Sequence, residues 1–113
     1  MKLGDPMKAA MIIVVGMVMA LGIALAAAYF LDDALEHGKE VYAAQKCGLC
    51  HSIAGVGGKR AALDGVGSKL KPDEIKKWIR NPKEMKQDTT MKPYPNLLEK
   101  DLGDLTSYLI TLR

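Results

Sequence analysis

From Ala9 to Leu31 the chain runs 23 residues without a charge, and no other feature limits its architecture as tightly. A helix rising about 1.5 Å per residue crosses a hydrocarbon core of roughly 30 Å over such a length. The 113 residues then leave room for one span and one small domain. Residues 1–31 are expected to form a transmembrane anchor and residues 32–113 the domain. Lys2 and Lys8 precede the run, while Asp32, Asp33 and Glu36 follow it. This charge bias predicts a cytoplasmic N-terminus and a domain on the far side of the membrane. Ala26-Ala27-Ala28 would suit a signal peptidase, but signal-peptide apolar cores run only about 7–15 residues, so a retained anchor is expected. Gly16, Ala20, Ala24 and Ala28 fall every fourth residue. Such a row suits close packing against another membrane helix; an alanine-rich face turned to lipid is the alternative.

The remainder is poor in large side chains, its only aromatics being Tyr42, Trp78, Tyr94 and Tyr108. Domains of about 80 residues are marginal without help. The two cysteines, Cys47 and Cys50, stand too close in sequence to staple distant segments, so an apolar cofactor is the better candidate to fill the centre.

The domain reads as all-α. Asp32–Lys46 continues as helix with Leu35, Val41 and Tyr42 on a partial apolar face. Gly38 within it calls for a closely approaching element, expected to be the C-terminal helix. Glycines at 55, 57, 58, 65 and 67 predict a loop folded over a bulky object. Pro72 starts a helix with Asp73 and Glu74 in its first turn, and Ile75, Trp78 and Ile79 form its apolar face before Asn81-Pro82 ends it. A short turn follows at 83–86. Leu98, Leu102, Leu105, Leu109 and Leu112 mark one stripe of a last helix spanning about 99–112. No Gly/Ser-rich linker separates span from domain, which favours a fixed subunit over a swinging tether.

Cys47-Gly48-Leu49-Cys50-His51 is a Cys-x-x-Cys-His motif, the spacing of c-type haem attachment. On a helical turn these three side chains face the same way. Two thiols can add to the vinyl groups at the haem edge while the imidazole lies beneath the iron. A simple disulfide, a redox pair and half a zinc site are the alternatives. A zinc site lacks ligands, since His37 is the only further histidine and no third cysteine exists; a thioredoxin-like pair lacks its βαβ setting.

Over Leu35–Arg113 the sequence resembles the class I, monohaem His/Met cytochromes c. The resemblance rests on Gly38 and Tyr42, on Cys47–His51, and on Leu63-Asp64-Gly65-Val66-Gly67. It extends through Trp78-Ile79-Arg80-Asn81-Pro82 to Met91 and Tyr108. It implies a small cytochrome c fold behind the anchor and one covalent haem c held by Cys47 and Cys50, with His51 on the iron. Arg60-Ala61 stands where the family has Gly-Pro, and Lys92 intervenes between Met91 and Pro93. In the family that proline's carbonyl accepts the imidazole N–H, so Ala61 takes the role by position. The resemblance also implies that Trp78 directs its indole N–H to a haem propionate; a plain core tryptophan is the alternative. Among Met85, Met91, His37 and the lysines, Met91 is expected as the sixth ligand, because it precedes a proline-rich stretch as in the family and a thioether raises the potential. Met85 reads as packing, His37 as an exposed residue outside the pocket, and Arg60 and Tyr94 as further propionate contacts, with solvated surface positions as the alternative for these two.

These readings predict an electron-transfer protein, not an enzyme. It would move single electrons at the outer face of a bacterial inner membrane, within a respiratory or photosynthetic complex. A haem-based gas sensor or small peroxidase with a labile sixth position is the alternative. Between Lys69 and Lys92 eight basic residues face four acidic ones, a local +4. Such a patch would steer an acidic donor or acceptor protein; an ordinary solvated surface is the plain alternative. Nucleic acid is not an expected partner outside the cytoplasm.

Overall fold

In a computed structural model residues 5–113 are described; Lys2, one of the two lysines preceding the apolar run, lies outside them. The chain divides into two compact units, Met1–Asp32 and Asp33–Arg113. The first helix, α1, is Pro6–Ala44. Its part within the first unit exposes every described side chain, and its most apolar 18-residue window has a mean hydropathy of 2.6. By length and composition it is long and apolar enough to cross a membrane.

The second unit is mostly helical. The end of α1 leads through a 3-10 turn, Cys47–Leu49, to three short strands, β1 (His51–Ile53), β2 (Val56–Gly57) and β3 (Ala61–Ala62). There follow α2 (Val66–Lys69), α3 (Pro72–Arg80), α4 (Pro82–Met85) and α5 (Glu99–Ile110). Helix α3 begins and ends where Pro72 and Asn81-Pro82 predict. Its start is fixed by the Glu74 carboxylate, which accepts the Lys71 backbone N–H at 2.7 Å.

The strands add to the all-helical expectation. β1 pairs antiparallel with β2 through Ser52↔Gly57 and Ile53↔Val56, and parallel with β3 through His51↔Ala61 and Ser52↔Ala62. Two- and three-residue strands are too short to leave an alternating pattern. The hairpin turns at Ala54 and Gly55, both with positive φ (50° and 78°), as a two-residue turn with the strands' own twist requires. Alanine seldom adopts this conformation. Here its N–H donates to the Asp64 carboxylate at 2.7 Å, which offsets part of the strain.

Val41, Ile75, Ile79, Leu102, Leu105 and Leu109 form the buried core, bringing the end of α1, α3 and α5 together. Helix α5 buries Leu102, Leu105 and Leu109, while Leu98, at the helix cap, stays 69% exposed. The leucine stripe therefore starts one turn later than the sequence suggests. Gly38 meets α5 as expected: a Cβ there would come within 2.8 Å of the Asp104 carbonyl carbon and of Tyr108 Cβ. One turn on, the Tyr42 and Tyr108 rings meet edge to face, 6.1 Å between centroids at 75°.

Candidate functional site

One cavity of about 530 Å³ lies within the second unit, inside the range of roughly 300–1,000 Å³ typical of small-molecule and cofactor sites. Leu63, Val66, Leu70, Ile75, Ile79, Leu97, Leu105 and Leu109 give it apolar walls. The structure brings all seven sequence-derived site residues to it: Cys47, Cys50, His51, Arg60, Trp78, Met91 and Tyr94. Met85 and His37 do not line it, so Met91 is the only thioether on its wall; of the lysines, Lys46, Lys86 and Lys92 reach it.

The attachment turn is held open to this cavity by backbone bonds. The Gly58 N–H donates to the Gly48 and His51 carbonyls at 2.8 and 3.1 Å. A Cβ at Gly58 would run into the Leu49 and Cys50 backbone, so only glycine lets the returning strand come this close. The β1–β3 register sets His51 beside Ala61, and His51 Nδ1 donates to the Ala61 carbonyl at 3.1 Å. A carbonyl only accepts, so the proton sits on Nδ1 and the Nε2 lone pair is left for a metal.

Cys47 and Cys50 are not joined to one another by a disulfide. Burial pushes the Cys47 thiol up from its ordinary range. A redox-active Cys-x-x-Cys needs the opposite shift to present a thiolate. Among the described residues no three His, Cys, Asp or Glu side chains are arranged to hold a metal ion by themselves. An apolar cavity, two adjacent thiols at its edge, an imidazole with its outer nitrogen fixed and a thioether on another segment together fit a covalently attached haem.

Arg60 and Tyr94 have protein partners. Arg60 Nη1 donates to Thr90 Oγ1 at 3.2 Å, and the Tyr94 hydroxyl donates to the Gln45 carbonyl at 3.3 Å. Burial raises the Tyr94 phenol above its usual range. Trp78 is half-buried against the cavity. Gln45, Thr89 and Thr90 also line it, and their one signal in the sequence is closeness to Cys47 and Met91; Lys86, also on the wall, enters the sequence reading only as one of the eight basic residues between Lys69 and Lys92. His37 lies outside the pocket as expected, but it is half-buried and paired. Its Nδ1 donates to the Asp104 carboxylate at 2.6 Å, and its Nε2 lies 3.3 Å from Asp101.

A small, mostly helical domain closed round one such cavity, with Cys-x-x-Cys-His on its wall, defines a c-type cytochrome, whose cofactor is covalently bound haem c. The chain belongs to the family described as cytochrome c oxidase, cbb3-type, subunit III, whose family model matches residues 33–109. It is also similar to cytochrome c oxidase subunit 2 of Alkalihalophilus pseudofirmus, 29% identical over 86 residues, covering 67% of this chain and 25% of that protein. The chain thus spans about a quarter of that relative's length. No solved structure matches it.

Proposed function

We propose that this protein is a monohaem, single-electron carrier held by its N-terminal helix at the outer face of a bacterial inner membrane, as a subunit of a respiratory oxidase complex. The observation that carries the reading is that Cys47, Cys50 and His51 from one segment and Met91 from another line the same cavity.

When bound, the haem supplies reversible one-electron exchange at its iron. The residues of the chain do the rest. Cys47 and Cys50 would hold the group through thioethers, making it part of the chain. His51 offers Nε2, its orientation set by the bond from Nδ1 to the Ala61 carbonyl. Met91 offers a thioether, which favours the reduced state. With His51 and Met91 both committed to the iron, the bound group would leave no open position for a substrate, and the apolar leucine and isoleucine walls would limit water around it. Lys46, Arg60, Lys86 and Lys92 are exposed and border the cavity. This positive rim supports steered docking of an acidic donor or acceptor. The apolar stretch 9–31, with its row at Gly16, Ala20, Ala24 and Ala28, supports packing against the membrane subunits of the complex.

Mass spectrometry and optical spectroscopy of the purified chain test the reading. The intact mass carries one added haem, the reduced wild type is low-spin, and Met91→Ala loses the methionine–iron absorption. An unmodified mass overturns the attachment. A wild type that is high-spin and binds CO tightly at neutral pH points to a sensor or peroxidase instead.

A further inference from the structure

Met91 lies in a stretch, residues 89–94, that belongs to no helix or strand, so no ladder of backbone bonds holds it against the cavity. Three longer-range bonds do. One residue before Met91, Thr90 Oγ1 accepts from Arg60 Nη1 at 3.2 Å. Three residues after it, the Tyr94 N–H donates to the Ile79 carbonyl at 2.9 Å, and the Tyr94 hydroxyl donates to the Gln45 carbonyl at 3.3 Å. The two side-chain tethers end on either side of the attachment turn. Gln45 stands two residues ahead of Cys47, and Arg60 adjoins Ala61, whose carbonyl accepts the hydrogen bond from His51 Nδ1.

We propose that Tyr94 and Arg60 are positioning residues that clasp the Met91 segment to the two ends of the haem-attachment segment, and so set how readily an added ligand displaces Met91. The proposal rests on Met91 being the sixth ligand. An incoming base reaches the iron only when the 89–94 segment swings out, and that opening breaks the tethers. Removing one tether raises the open population without touching the sulfur or the cofactor. Lys92 stacks its ammonium 5.6 Å from the Tyr94 ring centroid, which keeps the charge beside the phenol and adds to the hold on that end.

The test is an imidazole titration of the oxidised full chain in detergent, followed by loss of the methionine–iron absorption, with denaturant unfolding in parallel. Tyr94→Phe keeps the ring and deletes the hydroxyl. It raises the imidazole affinity about two- to fivefold, the range set by one modest net hydrogen bond. Thr90→Val and Arg60→Ala each raise it about twofold and add nothing to one another, because they delete the same exposed bond. Tyr94→Phe with Thr90→Val gives roughly the product of the single effects. Arg60→Lys, which keeps a donor, falls between wild type and Arg60→Ala. In a Met91→Ala background, where imidazole binding is read from the haem absorption itself, Tyr94→Phe has no effect, since no sulfur is left to displace. Unchanged imidazole affinity in Tyr94→Phe with a lowered unfolding midpoint would mean that the tyrosine only stabilises the fold, and would overturn the clasp. If Met91→Ala itself left the absorption and the imidazole affinity as in wild type, the sixth-ligand reading would fail first, a result separate from the other.

Discussion

Gly38→Ala adds one carbon to a close contact between α1 and α5. That carbon would lie 2.8 Å from the Asp104 carbonyl carbon and from Tyr108 Cβ, and closer still to the Asp104 oxygen. Carbon atoms prefer separations of about 3.5–4.0 Å, so the helices must part there by roughly 1 Å. Overpacking of this kind costs about 1–3 kcal/mol. Parting also loosens the Tyr42–Tyr108 edge contact, worth about 0.5–1.5 kcal/mol when intact. Against this, alanine gains about 1 kcal/mol over glycine in helix propensity. The net expectation is a loss of about 1–3 kcal/mol, or a fall in Tm on the order of 10 °C for a domain of this size. Gly103→Ala on α5 is the matched control, because its Cβ would meet nothing within 4 Å; it should raise stability by about 0.5–1 kcal/mol. Denaturant unfolding of the detergent-solubilised chain reads both, with unchanged m as the sign that only stability has moved. If Gly38→Ala proved as stable as Gly103→Ala, the close approach would carry no energetic weight and the reasoning would be refuted.

Leu105, 2% exposed and on the cavity wall, should lose about 2–5 kcal/mol as Leu105→Ala; an unfolding midpoint within error of wild type would contradict its place at the centre of the core. The Lys100 ammonium, and then His37, hold the Asp104 carboxyl below the usual carboxylate range. A group depressed in the folded state adds stability above its unfolded pKa of about 3.9 and loses it as pH falls through the folded value. Wild type should therefore lose stability more steeply than Asp104→Asn below about pH 4, and parallel Tm–pH curves would count against the pairing.

What the sequence declares is local. Pro72, Asp73, Glu74 and Asn81-Pro82 bound α3 because each acts within a turn of its own position. Gly38 announces a near neighbour because a missing side chain in a helix has few other uses. Cys47, Cys50 and His51 stand out because their spacing is itself the geometry of attachment. The hidden features depend on residues far apart in the chain. His37 reads as an isolated histidine until α5 brings Asp101 to it, and Asp104 from 67 residues away. The bonds from Arg60 to Thr90 and from Tyr94 to Gln45 span 30 and 49 residues, and no residue type advertises them. Ala54 gives no sign of its positive φ, because the Asp64 carboxylate that steadies it lies ten residues on. Leu98 fits the spacing of the stripe, but it falls at the cap, where the side chain is free to turn to solvent.

The β1–β3 pairing makes the domain unequally tolerant of changes in length. An extra residue at the Ala54–Gly55 tip would enlarge an exposed bend and leave His51 opposite Ala61. The same insertion at Lys59–Arg60 would slip the parallel register by one, and a one-residue slip turns the backbone groups of a strand the other way. The carbonyl now facing the imidazole would point elsewhere. Growth of this loop is thus open at its outer end and closed at its inner one.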